Sequence, residues 1–270
     1  MENKTEEYKK ESKKARLKVL EMINKAQTSH IGSNFSSIDI LNVLYDIADL
    51  DKEIKEGKDK VVVSKGWIAA SIYYFLARKG IIPEKDLQEY CMPGSKYIGL
   101  VEPDVNGVEA AGGSMGFGFP FGVGFAMAKK AKNEKGKVFV LMGDGEVAIG
   151  TTWESALIAS HQKLDNLTVI IDANGLQAMG KVEDVLNIEP LKEKWQAFGW
   201  NVIEIDGHNF DQIQKAFLQA EQTREKPSVI IAKTTKGKGV SFMENDNKWH
   251  YKAPSQEEYQ QALKELNQNN

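Results

Sequence analysis

Val138-Phe-Val-Leu-Met-Gly-Asp-Gly-Glu146 is an apolar, β-branched run that ends on a carboxylate held between two glycines. A run of this kind reads as a strand buried on both faces. Leu167-Thr-Val-Ile-Ile-Asp-Ala-Asn174 has the same form and delivers Asn174 and Gly175 at its end. Val61–Val63 and Val229–Ala232 are two further buried strands, and Asn201–Ile205 is a fifth candidate. Helical segments separate them at Ile68–Arg78, Gly116–Lys130, Thr152–Gln162, Leu191–Phe198 and Phe210–Arg224. Strands that alternate with helices imply an α/β fold, a mostly parallel sheet with helices on both faces. Ligands of such sheets sit beyond the carboxyl ends of the strands. Residues that follow strands are therefore the candidates for chemistry.

Toward the N-terminus, Lys4 to Lys25 carries apolar Leu17, Leu20, Met22 and Ile23 and reads as an amphipathic helix. A turn is expected around Thr28 to Asn34 with Gly32 as breaker, then a helix over Ile40–Ile47 capped by Ser37 or Asp39. The tail after Asp246 reads as irregular, then helical, wrapping a single domain that spans residues 1–270.

The composition bounds the function. With 270 residues, 41% of them apolar and 27% charged, the chain can bury a full core without disulfides. Cys91 is the single cysteine, which rules out an intrachain disulfide and fits a reducing, cytoplasmic setting. A net charge of -3 argues against nucleic acid as a partner. The lysines at the start alternate with glutamates, as on a solvated helix face, and no apolar segment of a secretory signal follows them. Ala110–Ala128 is uncharged, but its six glycines mark a Gly-rich turn leading into a buried helix, so no membrane partner is expected.

Asp144 between Gly143 and Gly145 can do more than close a turn. The glycines let backbone N–H groups approach an anion, and the next helix begins near Gly150. Magnesium takes oxygen ligands and is held by one or two protein oxygens together with phosphate oxygens and water. A carboxylate at Asp144 and an amide oxygen at Asn174, on neighbouring strand ends, suit a Mg²⁺-diphosphate site. Taken singly, Asp144 as a turn residue and Asn174 as a helix cap would be the simpler reading.

Gly-Asp-Gly followed by Asn174 resembles the signature of thiamine diphosphate enzymes. Trp153-Glu-Ser-Ala-Leu-Ile-Ala-Ser-His161 and Lys163-Leu-Asp-Asn-Leu-Thr-Val-Ile-Ile-Asp-Ala-Asn-Gly-Leu-Gln177 resemble transketolases specifically. The resemblance implies Mg²⁺ (or Ca²⁺ or Mn²⁺) bound by Asp144, Asn174 and the carbonyl of Leu176. It implies diphosphate contacts from Gly145 and Glu146, beside Gly143. Gly113-Ser-Met-Gly-Phe-Gly118 resembles a turn that meets the cofactor, through Gly113, Ser114 and Met115. Its glycine spacing does not fit a dinucleotide fingerprint. Ser29-His-Ile-Gly-Ser33 resembles the turn whose histidine lies over the thiazolium, a role that falls to His30. Lys233-Thr-Thr-Lys-Gly-Lys-Gly239 and Trp249-His250 resemble the domain's end, where the resemblance has His250 approach the cofactor diphosphate and the reacting sugar; His30 and His250 are then the catalytic candidates, for proton transfer and for holding the sugar oxygens. The lysines of that segment could equally be solvated loop charges.

Several positions depart from the family. Trp67 and Leu100 stand where histidines are usual, and Ile149 stands where an interface glutamate is common, although Glu154 remains. Two lost hydrogen-bonding groups point to a less polar or modified donor sugar. The glutamate that activates the cofactor's aminopyrimidine lies, in the family, in a separate domain, and no glutamate of this sequence has a matching context. The resemblance therefore implies the diphosphate-binding half of a split transketolase. The other half would be a separate pyrimidine-binding subunit, in an α₂β₂ assembly that acts on sugars or sugar phosphates. Met115–Phe125, aromatic and Gly-rich, is a candidate contribution to the interface. A 2-oxo acid decarboxylase or dehydrogenase subunit, or a non-catalytic cofactor-binding subunit, are the alternatives.

Overall fold

The computed structural model describes residues 2–50 and 58–268. Its elements in chain order are α1 (Glu2–Ala26), α2 (Ile31–Ile47), β1 (Lys60–Val63), α3 (Ala69–Arg78), α4 (Gly118–Ala131), β2 (Val138–Gly143) and α5 (Gly150–His161). They continue with β3 (Leu167–Ala173), α6 (Val182–Val185), α7 (Leu191–Ala197), β4 (Asn201–Asp206), α8 (Phe210–Gln222), β5 (Ser228–Lys233) and α9 (Gln256–Gln268). The five strands form one parallel sheet in the order β1-β2-β3-β5-β4.

Alternation along each strand divides the core into two layers. Phe139, Leu141, Ile170 and Ile230 face a cluster built with α1, α2, α3, α8 and α9. Val138, Val140, Met142, Val169, Ile171 and Val229 face a second cluster built with α4, α5 and α7. Both faces being covered explains the near-continuous apolar runs of the central strands. β4, at the sheet edge, alternates buried Ile203 and Ile205 with exposed Glu204 and Asp206. α9 packs on α1. Among the described residues no helix is long and apolar enough to cross a membrane.

One expected boundary is wrong. The segment read as a turn around Gly32 is the first part of α2, which starts at Ile31, and Ser37 and Asp39 lie inside it. Polar residues suggested a loop because their partners come from elsewhere in the chain. Asn34 Oδ1 accepts from Ser71 N, Ser36 and Ser37 donate to Asp172, and Asp39 pairs with Arg16. Every residue from Ile31 to Tyr45 is buried. Such a helix shows no apolar stripe, because it has no wet face. Gly32 is needed for close approach: a Cβ there would lie 3.1 Å from the Lys236 stem and 3.4 Å from Trp249.

Candidate active site at the strand ends

β2 and β3 run side by side in a register that sets Gly143 opposite Asp172. Asp144 and Asn174 therefore emerge from adjacent strand ends, as the sequence implied. The Asp144 carboxylate is buried; its two oxygens accept from Gly145 N at 2.8 Å and Gly175 N at 2.6 Å. The second bond ties the two loops together. Burial, and next the charge of Asp172, push Asp144 up to about 6. Asn174 Oδ1 accepts from Leu176 N at 3.1 Å, and its Nδ2 reaches Asp172 at 3.4 Å.

This donor set fits a hard divalent cation bound together with a diphosphate. It holds one carboxylate, one amide oxygen and a nearby main-chain carbonyl, and each oxygen keeps a further lone pair. Among the described residues no group of three or more His, Cys, Asp or Glu could hold a metal by itself. Phosphate oxygens and water would complete the shell. A second observation supports the anion. The buried Nε2 of Gln177 has no hydrogen-bond partner, and the same side chain lies 3.4 Å from where a Cβ on Gly145 would be. A buried, unpaired donor beside a glycine turn is suited to an anionic oxygen.

Glu146 is buried beside this turn. Its carboxylate faces inward, accepting from Ser64 Oγ at 2.5 Å, Gly116 N at 2.9 Å and Gly143 N at 3.0 Å. It therefore braces the turns on which the site is built. Through Gly116 it anchors the 113–118 turn, which Thr151 also holds by donating to Gly116 O at 2.8 Å. Gly116 has φ +84, and a Cβ there would lie 2.7 Å from both Ile149 and Thr151. Ser114 and Met115 stay exposed beside the site. Leu100 packs on Gly113, where a Cβ would come within 2.6 Å of it. Glu154 is exposed.

Several site residues were not singled out from the sequence. Asp172 is fully buried at the end of β3 and accepts from Ser36, Ser37, Thr234 and Lys65, the last at 2.5 Å. Burial opposes its ionisation, but the Lys65 charge and these hydrogen bonds outweigh burial and hold it at about 2. The signal was present: an aspartate inside an apolar strand run, and a lysine just after β1. Lys236 is also fully buried, which excludes the solvated-loop reading for that lysine. Its ammonium contacts Asn247 Oδ1 and His250 Nδ1, both at 3.0 Å. Burial, and next the Lys65 charge, lower it to about 8.

The fold also joins the two ends of the chain at this site. His30 has φ 70 and donates its backbone N–H to His250 O at 2.9 Å, and the two rings are 4.7 Å apart edge to face. Trp67 lies parallel on His30 at 4.9 Å, with 45% of its surface exposed. Tyr251, also exposed, completes the group 4.7 Å from His250. Burial, and next Lys236, lower His30 to about 4 and His250 to about 3, so both rings are neutral at pH 7. A broad cleft lined by Lys9, Arg16, His208 and Glu244 shares none of these residues.

The sequence matches the family of the transketolase thiamine diphosphate-binding domain over residues 8–269. It is 39% identical to a subunit of the apulose-4-phosphate transketolase of Phocaeicola vulgatus, covering 96% of this chain and 93% of that one. It is 35% identical to a 6-deoxy-6-sulfo-D-fructose transketolase subunit of a Clostridium species, covering 92% and 91%. The structure superposes on the transketolase of Campylobacter jejuni with a TM-score of 0.89 and 32% identity, covering 96% of this chain but only 42% of that enzyme.

Proposed function

This chain belongs to the transketolase family as its thiamine diphosphate-binding domain, and we propose that it is the diphosphate-binding subunit of a two-chain enzyme. The enzyme moves a two-carbon ketol unit from a ketose to an aldose, in the cytoplasm. The observation that carries this reading is the pairing of Asp144 and Asn174 at adjacent parallel strand ends, in a chain whose length matches that of separate transketolase subunits.

Asp144, Asn174 and the Leu176 carbonyl would hold Mg²⁺, or Ca²⁺ or Mn²⁺ in its place. Gly145 and Glu146, with Gln177 and the 113–115 turn, would receive the diphosphate. When bound, thiamine diphosphate supplies a carbanion nucleophile and an electron sink. The protein's share is positioning and charge. Asp172 and Lys65 neutralise one another and stiffen the floor of the site. His30 and His250 present neutral rings to the sugar oxygens, and the exposed Trp67 and Tyr251 line the approach.

A separate pyrimidine-binding subunit completes the site, in an α₂β₂ assembly. Exposed Met115, Phe117 and Phe121, together with exposed Leu157 and Ile158 on α5, which packs against α4, offer apolar surface for it. The donor is a ketose with a less polar or modified chain, because Leu100 offers no hydrogen bond and Trp67 only an indole N–H, with no acceptor, where hydroxyl recognition is usual in the family.

The test is to purify the chain with Mg²⁺ and cofactor, with and without a pyrimidine-binding subunit, and to assay ketose–aldose exchange and pyruvate turnover. Exchange only in the pair is expected. Full activity of the single chain would refute the split, and pyruvate turnover would move the enzyme to the 2-oxo acid class.

A further inference from the structure

His250 Nδ1 lies 3.0 Å from the Lys236 ammonium, and the direction of that hydrogen bond can be assigned from its neighbours. Asn247 Nδ2 donates to Ala178 O at 2.9 Å, which fixes the orientation of the Asn247 amide and turns its Oδ1 toward Lys236. An amide oxygen only accepts, so Lys236 donates to it. An ammonium has three donors and no acceptor. Lys236 therefore also donates to His250, whose Nδ1 must present its lone pair. A neutral imidazole with an accepting Nδ1 carries its proton on Nε2.

The lysine has little freedom to do otherwise. It has no exposed surface, and its stem lies against Gly32. The backbone on either side is held by Gly237 N to Gly32 O at 2.9 Å and by Asn245 N to Lys236 O at 2.9 Å. Gly237 has φ +80, and a Cβ there would meet Met243 O at 2.2 Å, so this turn accepts only glycine. On the other side of the ring, no hydrogen bond to Nε2 forms among the described residues.

We infer that Lys236 is a positioning residue that locks His250 in the Nε2–H tautomer, so that His250 serves as a neutral hydrogen-bond donor to a substrate oxygen and not as a proton-accepting base. The inference rests on the ketol-transfer reading for the identity of that oxygen, but not for the tautomer itself. His30 has a different local partner, Ser29 Oγ at 2.6 Å from its Nδ1. A hydroxyl can donate or accept, so His30 keeps access to either tautomer. The two histidines thereby divide the work: His250 donates, and proton exchange is left to His30.

The full chain, labelled with ¹⁵N-histidine, allows a direct reading by long-range ¹H–¹⁵N correlation at pH 6.5, where Lys236 is an ammonium and His250 is neutral. His250 should show a protonated Nε2 and a bare Nδ1, with or without the partner subunit. A protonated Nδ1 would overturn the inference whatever the enzyme's activity. In the assembled enzyme, K236M should lower kcat about 10²-fold, the order of losing one preorganised donor, with a smaller change in KM for the cofactor. K236Q, whose amide also donates, should recover part of that loss. The effect of K236M should largely vanish in an H250F background; equal losses in both backgrounds would defeat the proposal. If the wild-type tautomer is as stated but no ketol transfer occurs, the functional reading fails and the tautomer assignment stands.

Discussion

The proposed metal end of the site and the proposed sugar-facing mouth are built on opposite plans. At the metal end, charged groups sit on strand tips and in tight turns, and nearly every polar atom has a protein partner. At the mouth, rings from distant parts of the chain gather with few hydrogen bonds between them, and Trp67 and Tyr251 stay exposed. Sheet register dictates the first. Side-chain stacking between loops makes the second. The contrast implies that the metal end fixes what the enzyme binds, while the mouth is free to change which sugar it accepts.

The largest effect should come from D144A, which removes the only carboxylate of the donor set. Loss of an outer partner of a metal ligand costs about 10–100-fold in affinity. Removing the ligand itself should cost at least about 10²-fold in Mg²⁺-dependent cofactor binding, measured by calorimetry. Near-normal binding would break the assignment of the metal end. K65M should come next. It strands the Asp172 carboxylate in the interior, a change that costs about 3–5 kcal/mol for a buried pair, read as a fall in the urea midpoint. A shift below about 1 kcal/mol would show that Asp172 finds another cation, or stays protonated.

At the mouth, W67H should leave cofactor affinity unchanged and alter donor choice, improving kcat/KM for an unmodified ketose about 10-fold relative to the native donor. Equal effects on all donors would mean that Trp67 only supports His30. The two neutral histidines also give the apo chain a pH dependence. Their folded pKa values lie below that of a free histidine, so the unfolded chain binds more protons between about pH 6.5 and 4. Their contribution therefore favours folding above pH 6.5 and declines as the pH falls toward 4. NMR titration of their ring protons should show no inflection near 6.5. The smallest effect is expected for Q177L. Deleting an unpaired buried donor should raise apo stability by about 1 kcal/mol while weakening cofactor binding several-fold. Unchanged binding would remove Gln177 from the diphosphate contacts.

Legibility followed the same division. Asp144, Asn174 and Gly145 were readable because strand, turn and ligand are contiguous in the chain. His30 and His250 could be named only through resemblance, since nothing local says that residues so far apart share a site. Asp172 was overlooked inside an apolar run, and Lys236 passed for a solvated loop charge. The start of α2 was misplaced because its serines and asparagine read as turn formers until their partners on β3, α1 and α3 are known.

Hydrophobic periodicity and glycine placement, both properties of neighbouring residues, were enough to specify a parallel sheet and to put a carboxylate at one strand tip and an amide at another. Which charges became buried, which ring nitrogen kept its proton and which aromatic faces stayed open depended on groups remote in the chain meeting in a dry interior. There an unpaired charge or donor costs far more than it does in water.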